Sequence, residues 1–145
     1  MSLETEDYTE PYFVYSKSQL SANVKSYLTA LESLPATSVL NFSLKANYNP
    51  HLIKVMMDSG LTGATCVSIK GRTNILDCNL YLQFRPFIKF NEVRLALKLG
   101  FASNRIILNG NGKTRKELEE AVSHGVIINV DSNFDFENIQ AKGFK

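Results

Sequence analysis

The residue best placed to do chemistry in this chain is Lys45. It follows an apolar, strand-like run, Val39 to Leu44, and precedes Asn47-Tyr48-Asn49-Pro50, the composition of a turn that leads into a helix. An amine at the C-terminal end of a strand is held against a rigid sheet, at the edge where α/β folds collect functional groups. The plain reading is a solvated strand-end cation, and position alone does not decide between that and a functional amine. A second stretch of interest is Asn109-Gly110-Asn111-Gly112-Lys113-Thr114, after the apolar run Arg105 to Leu108. Its Gly112-Lys113-Thr114 imitates the end of a phosphate-binding P-loop, but that motif needs glycine where Ile107 stands. What remains is a tight strand-to-helix loop whose glycines permit positive φ. Glu92 opens an amphipathic stretch, where a carboxylate complements the helix dipole by about 0.3–1 kcal/mol. His51, His124, Cys66 and Cys78 lack metal-ligand spacing, which argues against a metal site, and Cys66 falls in an apolar run where a thiol acts as a small buried hydrophobe.

The elements that must hold these groups alternate along the chain. Tyr12 to Tyr15 reads as a strand of aromatic and β-branched residues, and Ser16 with Gln19 forms a capping box for a helix whose apolar face is Leu20, Val24, Tyr27, Leu28 and Leu31. Pro35 prevents its continuation. Val39–Leu44 is the next strand; Leu52, Val55 and Met56 face a short helix closed by Gly60; Gly63–Val67 is another strand. Val93, Leu95, Ala96, Leu97 and Leu99 suit a helix ended by Gly100, and Arg105–Leu108 a further strand. Thr114 and Glu117 form a second capping box, His124-Gly125 closes that helix, Val126–Val130 is a strand, and Asp131 or Ser132 caps a last helix over 134–139.

Composition narrows the function. The 145 residues are 44% hydrophobic and 21% charged, as in an ordinary soluble globular protein. Sixteen Lys and Arg against 14 Asp and Glu give a net charge of +2, too small to argue for nucleic acid. No apolar run approaches membrane-spanning length. Residues 1–10, an acidic lead-in expected to be disordered, contain Glu4, Glu6, Asp7 and Glu10 without Lys, Arg or an apolar stretch, unlike a secretory or transit peptide. The expected compartment is cytoplasmic, with a plastid as the alternative.

Five blocks, Tyr12-Phe13-Val14-Tyr15-Ser16, Ser43-Leu44-Lys45-Ala46-Asn47, Asn91 to Leu97, Asn109 to Lys113 and Asn129-Val130-Asp131-Ser132, occur in the order found in diaminopimelate decarboxylases. The chain from Pro11 to Ile139 thus resembles that family, a relative of the ornithine and arginine decarboxylases and alanine racemases. The resemblance implies an alanine-racemase-type (β/α)8 barrel dependent on pyridoxal 5'-phosphate (PLP). It further implies a first strand that joins a separate β domain, and homodimers with the site between subunits. A complete barrel needs roughly 250 residues, so about half of one is expected over 11–145. By resemblance, Lys45 is the catalytic and cofactor-binding residue that anchors PLP, Glu92 matches a carboxylate near the pocket, and Asn109 and Asn111 lie at the substrate rim. Thr65 departs from the aspartate that many members carry there, although plant-like members also vary. Ile69 to Phe90 interrupts the resemblance: either a loop overhanging Lys45 or a retained intron in the gene. The family's His-x-Gly-Ser, Gly-Gly-Gly and Glu-Pro-Gly-Arg segments do not occur. The implied parent activity is decarboxylation of meso-2,6-diaminopimelate, a small amino-acid substrate, to L-lysine, with this polypeptide itself inactive. The alternatives are a noncatalytic PLP-binding or regulatory barrel and a truncated product without function.

Overall fold

The computed structural model describes residues 11–67 and 92–141. The acidic lead-in and the 69–90 segment lie outside the described residues. Four strands, β1 (Asn41–Ser43), β2 (Gly63–Cys66), β3 (Ile106–Leu108) and β4 (Ile127–Ile128), form one sheet in the order β1-β2-β3-β4, every pair parallel. Five helices accompany them: α1 (Lys17–Leu31), α2 (Pro50–Asp58), α3 (Glu92–Leu99), α4 (Arg115–His124) and α5 (Asn133–Gln140). Parallel neighbours require a crossover, and a strand followed by a helix four times over is half of a (β/α)8 barrel.

Side chains alternate across each strand, which divides the sheet into two unlike faces. Phe42, Leu44, Ala64, Cys66, Ile106, Leu108 and Ile128 turn to the helices and join Ile53, Met56, Val93, Ala96 and Ala121 in one core. The opposite face carries Asn41, Ser43, Gly63, Thr65, Ile107 and Ile127, in register across the four strands. Its Ile127 is 48% exposed, although all-parallel sheets are ordinarily covered on both faces. Gly63 is fixed on this face by a close approach. A Cβ there would collide with Asn41 Oδ1, a buried oxygen with no hydrogen-bond partner among the described residues.

Local signals set the helix ends. Thr114 and Glu117 make the expected reciprocal capping box, and Gly125 ends α4 in the left-handed conformation at φ 68°. Ser132, not Asp131, caps α5 by accepting from the Asp135 amide. At α1 only half of the expected box forms: Ser16 Oγ accepts from the Gln19 amide at 3.2 Å, while the Gln19 side chain turns forward to Asn23. Asn49 caps α2, with Pro50 at its first position, where a missing amide costs nothing.

Three expectations need correction. Tyr12–Tyr15 is not a strand: residues 11–16 carry no regular structure, because a strand exists only with a partner and the described residues supply none. Tyr27 is exposed, and α1 packs instead through Val24, Leu20 and Leu28. On α2 the fully buried residue is Ile53, missing from the expected face, with Met56 beside it.

Candidate functional site

Lys45 sits where the sequence placed it, one residue beyond the end of the β1 ladder. The Leu44 amide still donates to the Thr65 carbonyl at 3.0 Å; the chain then turns tightly, with the Ala46 amide donating to the Ser43 carbonyl at 3.0 Å. Lys45 is exposed in that turn and joins no ion pair among the described residues. The following turn is fastened by amide side chains. Asn47 Nδ2 donates to the Tyr15 hydroxyl at 3.1 Å, Asn47 Oδ1 accepts from the Asn49 amide, and Asn49 Oδ1 accepts from the His51 amide. His51 is thus a backbone donor at a cap, with its ring exposed.

Glu92 begins α3 only 8% exposed, and its Oε2 accepts from the Val67 amide at 2.7 Å, which ties the start of the helix to the end of β2. Burial pushes the Glu92 carboxyl above the ordinary carboxylate range, while the Val67 hydrogen bond and the nearby charge of Lys45 pull partly back. Lys45, past the end of β1, and Glu92, at the start of α3, are therefore brought into electrostatic range. Cys66, one residue before Val67, is pushed up to about 12 by burial and by the charge of Glu92, so its thiol is not a nucleophile at neutral pH.

The loop after β3 behaves as its glycines require, with Gly110 and Gly112 at φ 115° and 73°. Asn111 is exposed at its tip. Asn109 continues the ladder, its amide donating to the Cys66 carbonyl at 2.7 Å, and the Asn129 amide likewise donates to the Leu108 carbonyl at 2.9 Å. Ser43, Thr65, Ile107 and Ile127 share one row of the sheet. Two residues further on, Asn109 and Asn129 stand at the C-terminal rim, the end of the sheet at which the Lys45 turn also lies. Asn129 Nδ2 donates to Asn109 Oδ1 at 2.8 Å and to Asp131 Oδ1 at 3.1 Å.

Behind this pair lies a charge cluster that the sequence reading missed. Lys113 Nζ donates to Asp131 Oδ2 at 2.7 Å and to Asp135 Oδ2 at 3.0 Å; the Lys113 side chain is 4% exposed, those of Asp131 and Asp135 23% and 2%. Burial alone pulls the Lys113 ammonium down, but the hydrogen bonds and charges of the two aspartates outweigh it and hold it above the ordinary lysine value. Burial likewise works against the Asp135 carboxylate, and Lys113, the Asp131 amide and Ser132 overcome it, leaving Asp135 below the ordinary range. The available signal was Asp131 and Asp135 one turn apart at a helix start, facing a lysine in the preceding loop.

The cleft lined by Lys54, Met57, Leu61, Phe101 and Arg105 lies where the chain enters β2 and β3, at the end of the sheet opposite Lys45. Among the described residues, no group of three or more His, Cys, Asp and Glu is disposed to hold a metal ion, and no helix is long and apolar enough to cross a membrane.

No protein-family model matches the sequence. Among solved structures the chain is similar to AQ1208 from Aquifex aeolicus, with a TM-score of 0.65 and 28% identity over 88% of this chain and 25% of that one. It shares its fold with a diaminopimelate decarboxylase of Helicobacter pylori solved with L-lysine, at a TM-score of 0.66 and 24% identity over 94% of this chain and 30% of that one. The four β/α units are thus part of a barrel of the alanine-racemase-like decarboxylase type.

Sequence relatives narrow that class. The chain is 38% identical over 129 residues to a probable chloroplastic diaminopimelate decarboxylase of Oryza sativa subsp. japonica, covering 89% of this chain and 21% of that protein. It is 30% identical over 128 residues to the diaminopimelate decarboxylase of Aquifex aeolicus, covering 88% of this chain and 24% of that protein. The chain is homologous to diaminopimelate decarboxylases over most of its own length, and it spans about a quarter of theirs.

Proposed function

We propose that this chain carries the lysine-bearing portion of a PLP-dependent diaminopimelate decarboxylase site, with Lys45 as the covalent anchor. The observation that carries the reading is the placement of Lys45 at the C-terminal end of β1, exposed, and within electrostatic range of Glu92. The residues present fit that use: an accessible amine on a rigid strand end, and beside it a carboxyl disposed to hold a proton.

When bound, the pyridoxal ring supplies the electron sink for loss of an α-carboxylate from an amino acid. Lys45 would hold the cofactor covalently, its amine replacing the aldehyde oxygen, which leaves as water. Glu92 is fixed through Oε2 by the Val67 amide, which leaves Oε1 to hold a proton near Lys45 and to return it. Tyr15 and Asn47, hydrogen-bonded to each other, brace the turn that sets the direction of Lys45. The substrate of this reading is meso-2,6-diaminopimelate and the product L-lysine. Among the described residues no glycine-rich cradle for a phosphate accompanies the anchor, so the 145-residue chain on its own is expected to release negligible CO2 from diaminopimelate.

Borohydride reduction after incubation with PLP, followed by peptide mapping, tests the anchor. A pyridoxyl group concentrated on Lys45, and lost in Lys45→Ala, is the expected result. A label spread evenly over the exposed lysines would refute it.

A further inference from the structure

We propose that Asn109 and Asn129 form a paired amide site that reads the polar end of the bound amino acid remote from Lys45, and that Lys113 is its positioning residue. This rests on the reading of Lys45 as the cofactor anchor. Both Nδ2 hydrogens of Asn129 are spent, one on Asn109 Oδ1 and one on Asp131 Oδ1. That leaves Asn109 Nδ2 as a donor and Asn129 Oδ1 as an acceptor, side by side, neither with a partner among the described residues. A donor next to an acceptor matches a group that presents an acceptor next to a donor, as the carboxylate and ammonium of an amino-acid end do.

Position selects which end. Asn109 and Asn129 lie at the same end of the sheet as Lys45, past β3 and β4, two and three strands from β1, about 10 and 14 Å along the sheet at ~4.8 Å per strand. A group at that distance meets the far end of a substrate, not the carbon attached at the anchor. Its orientation is fixed from behind: Asp131 binds Asn129 through Oδ1 and Lys113 through Oδ2, and Lys113 also holds Asp135 on α5. The ammonium so joins the loop after β3 to the loop after β4, and those two loops carry the two asparagines.

The full chain is loaded with PLP, an amino acid is added, and the mixture is reduced with borohydride. An amino acid whose amine takes the aldehyde carbon frees the Lys45 amine, so the label on Lys45 falls with its concentration. Two probes are compared, meso-diaminopimelate and L-alanine, which lacks a second polar end. In Asn129→Ala the diaminopimelate concentration that halves the label is expected to rise about tenfold, one charge-assisted hydrogen bond's worth, while that for L-alanine is unchanged. Lys113→Met is expected to show the same selective rise, and Lys113→Arg to restore it in part. Equal shifts for both probes, or none for either, would overturn the paired site while the anchor stands. A wild-type chain that takes no label on Lys45 would overturn the anchor and this inference together.

Discussion

Replacing Lys113 with methionine removes the ammonium that pairs two carboxylates, one of them almost wholly enclosed. The Asp135 side chain, 2% exposed, would keep the Asp131 amide at 3.1 Å and Ser132 as compensation. Breaking a buried pair by deleting one partner costs about 3–5 kcal/mol. Asp131, 23% exposed, regains water and adds little, in the range of about 0–1 kcal/mol typical of surface pairs. Lys113→Met should therefore lose about 3–5 kcal/mol, which at the ~1–3 kcal/mol per molar urea of small proteins lowers the unfolding midpoint by about 1 M or more. Lys113→Met/Asp135→Leu should recover much of that loss, since apolar replacement of a buried pair is often neutral. The difference between wild type and Lys113→Met also has a defined pH window. Asp135, depressed in the fold, contributes above its unfolded value of about 3.9 and loses the contribution as pH falls through its lower folded value. Lys113, raised in the fold, contributes below about 10.4 and loses the contribution as pH rises through its higher folded value. In the variant, burial without the ammonium raises the Asp135 carboxyl, so the gap between the two proteins should widen as pH rises out of the acid range, be largest near neutral pH, and close again at the basic limit. A loss below about 1 kcal/mol at pH 7, or a double variant no more stable than the single one, would show that the cluster is solvated and the reasoning wrong.

Two further outcomes follow from the packing. Gly63→Ala forces a Cβ into Asn41 Oδ1, with the Leu40 carbonyl also at 3.0 Å, and should cost about 1–3 kcal/mol in urea unfolding; Gly63→Ala/Asn41→Ala should be less destabilised than the sum of its parts. Glu92, raised in the fold, binds its proton more tightly folded than unfolded, so its charge costs stability as pH rises from about 4.3 through its folded value. Glu92→Gln keeps an acceptor for the Val67 amide and should be at least as stable as wild type at pH 7, the difference vanishing below about pH 4. A wild type that gains on the variant as pH rises through that window would contradict this.

The repeating strand-and-helix order was legible because each element is short and locally punctuated. The apolar runs stop at Leu44, Val67 and Leu108, within a residue of the strand ends, glycines fall just past α2, α3 and α4, and the Thr114–Glu117 pair is visible at its spacing. Lys45 was legible for the same reason, as a cation directly after a strand. What escaped depends on residues distant in sequence. Tyr12–Tyr15 has strand composition, but pairing is a property of two segments. Lys113 read as a loop residue because its partners lie 18 and 22 residues away, and only the fold encloses all three. Asn109 was singled out while Asn129 was not, since the register that sets them side by side is written in the ladder between β3 and β4.

The strand order has a consequence for how the chain reaches this structure. Every strand pairs with its successor, so the sheet can grow one strand-helix-strand crossover at a time. The steps are unequal: 40 positions separate Cys66 from Ile106, against 20 from Ser43 to Gly63 and 19 from Leu108 to Ile127. Doubling a closed loop adds about 0.6 kcal/mol of entropy. Nucleation is thereby biased toward two separate quarters, one around β1 and β2 and one around β3 and β4, with the seam between them as the last zipper to close and the first to part.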